Sequence, residues 1–340
     1  MSVSALVLGC SGLSLTDEER AFFRDANPFG FILFRRNVGT PAQVKALTHA
    51  LREAVGRDAP VVIDQEGGRV QRLGPPHWPK YPAGRVYGRI SLNDPVTRRE
   101  ITRLGARLIA HDLLSVGINV DCVPVLDIPV PGAHDVIGDR AYGFDATTVG
   151  ILGRAAAEGL MAGGVLPVMK HVPGHGRAGV DSHLSLPVVD TPLDALEAVD
   201  FLPFRMLADL PAAMTAHVVY TAIDPRSPAT TSRKAIRSII RGTIGFEGLL
   251  FSDDLSMQAL SGTLGERAAA ALAAGCDIGL HCNGKMDEMI DIAARVPVLA
   301  GKAKRRAEAA LGRLRHLPEP LDVAEARARL DAALANLQAA

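Results

Sequence analysis

The sequence predicts an α/β fold, a single-domain TIM-type (β/α)8 barrel with additional C-terminal helices, and three observations predict it. Eight short apolar, β-rich segments recur along the 340 residues. Longer stretches with helical spacing separate them, several opened by a capping residue and closed by glycine. No internal repeat, low-complexity tract or Ser/Gly-rich linker divides the chain. Near-continuous apolar strands alternating with helices call for a parallel sheet covered on both faces, and eight such repeats close a barrel.

Taken in order, the expected strands are residues 5–8, 29–34, 60–63, 118–124, 166–169, 212–216, 249–251 and 277–281. Helix starts are clearest where caps mark them. Thr16 with Glu19 has the capping-box spacing, Thr40-Pro41 opens the next helix, and Gly163-Gly164 ends one that begins near Thr147. Residues 74–82 and 129–143 read as long loops. Helical periodicity in 302–315 and 323–337 places 298–340 as peripheral helices on the outside of one domain spanning 1–340.

Composition narrows what the chain does. Hydrophobic residues make up 48% and charged residues 22%, enough for a full core and unlike a disordered chain. Lys+Arg and Asp+Glu both number 37, so no basic excess serves nucleic acid or an anionic membrane, and neither partner is expected. Cys10, Cys122, Cys276 and Cys282 form no CxxC pair and are too few for a disulfide scaffold, which fits a reducing compartment. No Lys or Arg precedes the short apolar run of residues 1–9, so it reads as a buried first strand rather than a secretory signal, and no apolar run approaches membrane-spanning length.

In a barrel of this kind, reactive groups follow the C-terminal ends of strands. The polar residues there are Asp64 to Arg72 after strand three, Asp127 and then Asp139-Arg140 after strand four, Lys170-His171 after strand five, His217 after strand six and Asp253-Asp254 after strand seven. Each alone is as readily a solvated ion-pair residue of the barrel mouth as a functional group.

The densest stretch runs from Lys170 to His183. Its GxGxxG match, Gly174 to Gly179, does not open a helix, because Pro187 follows too soon, so it is not read as a dinucleotide site. His171, His175, Asp181 and His183 are possible metal ligands. However, Pro173 and Gly174 forbid a regular helix between the first two, HExxH and HxH motifs are absent, and neither a metal nor another cofactor is expected. Asp181-Ser182-His183 allows an aspartate to orient an imidazole whose other nitrogen faces a substrate, making His183 a candidate acid/base. His175 reads as structural, and His49, His77, His111 and His316 lack supporting polar neighbours. At Asp253-Asp254 the alternation of a strand directs one carboxylate to the barrel axis, where it could be a nucleophile, an electrostatic stabiliser or an arginine partner.

Four segments together carry a family resemblance: Asp64-Gln65-Glu66-Gly67-Gly68-Arg69-Val70-Gln71-Arg72; Gly138-Asp139-Arg140-Ala141-Tyr142-Gly143; Lys170-His171-Val172-Pro173-Gly174-His175-Gly176 with Asp181-Ser182-His183; and Phe251-Ser252-Asp253-Asp254-Leu255-Ser256-Met257. This set resembles the motifs of the bacterial β-N-acetylhexosaminidases of glycoside hydrolase family 3, and the match runs in order from about residue 5 to residue 290. The family's β-glucosidases lack the long loop of the third segment and take their acid/base from a carboxylate on another domain. Val172 stands where the family usually has phenylalanine, between matching residues.

The resemblance implies a retaining exo-hydrolase that removes terminal β-linked N-acetylglucosamine through a covalent glycosyl-enzyme. It implies Asp253 as nucleophile and His183 as acid/base held by Asp181, with Asp64, Arg72, Arg140, Lys170 and His171 binding the sugar. The single-domain length resembles that of the cytoplasmic Gram-negative members that recycle cell-wall peptidoglycan. That implies a muropeptide partner, N-acetylglucosaminyl-anhydro-N-acetylmuramic acid with or without its peptide, and a monomeric enzyme. A content of 4% aromatic residues, with Trp78 the sole tryptophan, argues against a stacking platform for polysaccharide. The competing classes are a metal-dependent hydrolase on the same barrel and an inactive sugar-binding protein. Intact nucleophile and acid/base motifs disfavour the second.

Overall fold

The computed structural model describes residues 2–90, 94–182 and 185–339. Eight strands alternate with eight helical segments: β1 (Ser4–Gly9), α1 (Asp17–Ala26), β2 (Pro28–Leu33), α2 (Pro41–Val55), β3 (Val61–Ile63), α3 (Pro95–Ser115), β4 (Val120–Asp121), α4 (Ala146–Ala162), β5 (Leu166–Val172), α5 (residues 193–206), β6 (Ala212–Thr215), α6 (Ala235–Thr243), β7 (Leu249–Asp254), α7 (Leu264–Ala274), β8 (Ile278–His281) and α8 (Met286–Ala293). The strands close in chain order into one parallel barrel, with β1 bonded to both β2 and β8. All eight expected strands are present. β4 is shorter than its apolar run because the chain turns out of the ladder at Val123, whose N–H bonds back to the Asp121 carbonyl at 2.8 Å, and β5 and β7 run further into the polar residues than expected.

Local chemistry sets the helix starts. The Thr16 side chain accepts from the Glu19 N–H while Glu19 reaches back to the Thr16 N–H, and Thr263 with Glu266 repeats the device on α7. Thr40, Asp94 and Asp145 cap α2, α3 and α4, each cap contributing about 1 kcal/mol.

Strand alternation divides the apolar residues into two layers. Val7, Ile32, Val62, Val120, Val168, Met214, Phe251 and Leu280 fill the barrel interior. Their neighbours Leu6, Leu8, Phe31, Ile63, Met169, Ala213 and Leu250 pack outward against the helices. The two C-terminal helices, α9 (Gly301–Gly312) and α10 (Val323–Ala339), take different places. Ala307 and Ala310 of α9, with Leu299, join the interior cluster, and residues 297–299 bond to residues 3–5. Thus α9 closes the barrel floor at the N-terminal ends of the strands. On the outside, α10 lies against α3, where Arg327 Nη2 is 3.0 Å from Asp112 Oδ1. With the floor closed, the open end is the C-terminal mouth. No helix among the described residues is long and apolar enough to cross a membrane.

Candidate active site

The same alternation selects the side chains of the mouth. Asp64 stands two residues beyond Val62, Lys170 two beyond Val168, and Asp253 two beyond Phe251, each continuing an inward-facing row. Together with Glu66, Arg72, Arg140 and His171 they line a cavity of about 730 Å³, part of it open to solvent. Phe34, Val136, Ile137 and Met257 supply its apolar wall.

The charged groups form one connected cluster. Lys170 Nζ is 2.8 Å from Asp64 Oδ1 and 2.7 Å from Glu66 Oε1. Arg72 Nη2 donates to Asp64 Oδ2 at 3.0 Å, and its guanidinium lies 5.1 Å from the centre of the Phe34 ring. Arg140 grips Glu66 with two bonds of 2.8 Å, from Nε to Oε2 and from Nη2 to Oε1, a bidentate geometry. The buried Gln65 side chain holds the returning strand of this loop, its Oε1 accepting from the Arg72 and Leu73 N–H groups.

Burial by itself would push these carboxyls up, but the cations prevail. Lys170 and Arg72 hold Asp64 well below the usual carboxylate range, and Arg140 and Lys170 bring Glu66 down to about 2. Burial opposes the charge on Lys170 as well, yet Asp64 and Glu66 raise it above the ordinary lysine value. The cluster is therefore fully charged at neutral pH and offers a small polar ligand both donors and acceptors.

Asp253 and Asp254 are adjacent but differently committed. Asp254 Oδ1 accepts from Ser256 N at 3.1 Å and Cys282 N at 3.2 Å, and its Oδ2 from Ser256 Oγ at 2.6 Å, so its carboxylate closes the turn after β7. Among the described residues the Asp253 side chain has a single hydrogen bond, its Oδ1 accepting from Asp254 N at 2.8 Å. Burial pushes its acidity down, but His217, His171 and Lys170 outweigh that and hold it ionised below its ordinary value. His217 supports this strand end through Nε2, which donates to the Asp254 carbonyl at 2.9 Å, and burial lowers the pKa of its imidazole.

Six of the residues expected from sequence thus meet in one cavity: Asp64, Arg72, Arg140, Lys170, His171 and Asp253. Asp181 is half-buried, and the next residue, Ser182, lines the cavity and bonds His175 Nε2 at 3.2 Å. His183 lies outside the described residues. Sequence reasoning gave Glu66 no role, although it sits two residues beyond Asp64 and so on the same face of an extended segment. It also gave Asp127 none beyond its position after strand four.

A closed parallel barrel whose mouth gathers an ionised carboxylate beside a charged cluster has the architecture of a barrel enzyme with a polar cavity for a small ligand. Residues 5–316 match the Glycosyl hydrolase family 3 N terminal domain. The beta-hexosaminidase of Alkalilimnicola ehrlichii is 39% identical over 331 residues, which cover 96% of this chain and 88% of that protein. NagZ from Neisseria gonorrhoeae, solved in complex with N-trifluoroacetyl-D-glucosamine, superposes with a TM-score of 0.84 at 33% identity, covering 99% of this chain and 97% of that one. A glycoside hydrolase family 3 beta-N-acetylglucosaminidase from Paenibacillus gives 0.80 at 32% identity, covering 96% of this chain and 61% of that one. The chain belongs to glycoside hydrolase family 3 and is a β-N-acetylhexosaminidase of that family.

Proposed function

We propose that the enzyme removes terminal β-linked N-acetylglucosamine with retention, and that its substrate is a cytoplasmic muropeptide, N-acetylglucosaminyl-anhydro-N-acetylmuramic acid with or without peptide. In this reading Asp253 attacks the anomeric carbon as the glycosidic C–O bond breaks, and His183, oriented by Asp181, gives its proton to the departing oxygen. The same imidazole then takes a proton from water as that water displaces Asp253, so acid and base are restored. Asp64, Arg72, Arg140, Lys170 and His171 hold the sugar, and the protein acts as a monomer without a metal.

The observation that carries the reading is the contrast at the end of β7: Asp253 continues the inward row and is ionised, with one backbone bond among the described residues, whereas Asp254 is spent on its turn. A nucleophile needs that freedom. The test compares a chromogenic aryl β-N-acetylglucosaminide with the corresponding β-glucoside, and then follows the disaccharide muropeptide. Strong preference for the first, retention at the anomeric carbon and a fluorinated-sugar label on Asp253 are expected. Inverted product or a label elsewhere overturns the mechanism, and failure to cleave the muropeptide overturns the substrate.

A further inference from the structure

Asp127 lies in the segment after β4, is 0% exposed and among the described residues makes three hydrogen bonds. Its Oδ1 accepts from two backbone groups, His175 N at 2.7 Å and His171 N at 3.2 Å. Its Oδ2 is left for one partner, the His171 ring, with Nδ1 at 2.7 Å. A carboxylate only accepts, so the hydrogen in that third bond belongs to His171 Nδ1. The bond is charge-assisted on the aspartate's side: burial opposes the charge of Asp127, and His171 beside it brings its pKa down to about 2. The His175 ring packs edge-on against the His171 ring at 5.6 Å and fixes its plane. Among the described residues, Nε2 of His171 has no hydrogen-bond partner, and the ring lines the cavity that Asp253 also lines.

We infer that Asp127 is a positioning residue for the glycosidase reaction, one that fixes His171 in the Nδ1–H tautomer and turns Nε2 into the cavity as the atom that meets the sugar. The inference rests on the reading of His171 as a sugar-binding residue. Among the described residues His171 Nδ1 has no other partner, and the backbone bonds of Asp127 are satisfied by its other oxygen. With Nδ1 committed, neutral His171 offers the substrate an acceptor at Nε2, which complements the donors of Lys170, Arg72 and Arg140 around the same cavity.

The test is Asp127→Asn. The amide oxygen keeps both backbone bonds, while the NH2 group donates where a carboxylate oxygen accepted, so His171 Nδ1 must accept and the hydrogen moves to Nε2. Two-bond ¹H–¹⁵N spectra of histidine-labelled protein, recorded where the ring is neutral and assigned with His171→Gln, read this directly. The wild type is expected as the Nδ1–H tautomer and Asp127→Asn as Nε2–H. Activity on an aryl β-N-acetylglucosaminide should fall about 10- to 100-fold in kcat/KM, the range seen when a group orienting a ligand is lost. In a His171→Ala background the same substitution should cost less than about 3-fold, because its action passes through the ring. A wild-type Nε2–H tautomer, or an undiminished loss in the His171→Ala background, overturns the inference. The tautomer is read without turnover, so a wild type inert on β-N-acetylglucosaminides would sink the proposed function and leave the Asp127–His171 relation separately decided.

Discussion

Lys170 Nζ stands 2.8 Å from Asp64 Oδ1, joining residues 106 positions apart, and the lysine side chain there is 3% exposed. An ammonium so enclosed pairs with two carboxylates at once, Asp64 and Glu66, while Arg72 and Arg140 supply the remaining positive charge. Lys170→Met removes it while leaving Asp64 and Glu66 in place, and breaking a buried pair of this kind costs about 3–5 kcal/mol. The variant should lose that much stability in urea denaturation and also lose about 10- to 100-fold in kcat/KM, from one charged hydrogen bond to substrate. Unchanged stability would show that the cluster is solvated and not held by this lysine.

Glu66 gives the fold an acid limit. Its pKa is brought from the ordinary 4.5 to about 2 by Arg140 and Lys170 against burial, so the folded state binds its proton less readily than the unfolded chain. Its stabilisation is complete above about pH 4.5 and is lost as pH falls through about 2. Glu66→Gln should therefore be less stable by about 3 kcal/mol at pH 7, with the gap closing below pH 4.5. Urea midpoints across that range check it. A gap that stays constant or widens in acid contradicts the assignment.

The two carboxylates at the end of β7 should separate in kind. Asp253→Ala should lower kcat by several orders of magnitude with little change in stability, as loss of a covalent route does. Asp254→Ala leaves Ser256 N and Cys282 N without their acceptor. It should lower stability by about 1–3 kcal/mol and activity less than Asp253→Ala does. Kinetics and melting of the two variants side by side decide it, and a reversed order would exchange their roles.

The strands and caps were legible because their signals are local: an apolar run of three to seven residues, or a threonine three residues before a glutamate. The pairings of the site were not. Glu66 meets Arg140 across 74 residues and Asp127 meets His171 across 44, and only barrel closure brings those segments together. Motif resemblance named Asp64, Lys170 and Asp253, and alternation explains why those three face inward. The helix over 302–315 was legible, but its place was not: it was expected on the outside of the barrel and instead closes the floor. Ala307 and Ala310 look like the solvent-side residues of an alanine-rich helix, and their small size is what lets α9 seat against the narrow end of the barrel.

Turnover should survive chelation. Asp64 and Glu66 already face Lys170, Arg72 and Arg140, so these two carboxylates have protein cations as partners. Among the described residues no group of three or more His, Cys, Asp and Glu side chains could hold a metal ion. Prolonged EDTA treatment should leave kcat/KM within about twofold. Loss of activity that added zinc or magnesium restores would require a metal in the mechanism.

An imidazole acid/base predicts a specific dependence on leaving group. With an ordinary pKa of about 6.5, such a ring carries either proton state near neutrality, so it can protonate the departing oxygen and later activate water. Protonation matters most when the leaving oxygen is basic, as in a sugar aglycone, and least when it departs as a stable phenolate. His183→Ala should therefore slow cleavage of the disaccharide far more than that of activated aryl glycosides, by about 10²- to 10⁴-fold against a much smaller loss. Asp181→Ala should show the same pattern in weaker form, because the ring remains and only its orientation suffers. Rates across a series of aryl aglycones give the slope that decides the matter. A His183 variant with equal losses across the series would assign that residue to binding the sugar and place the proton donor elsewhere.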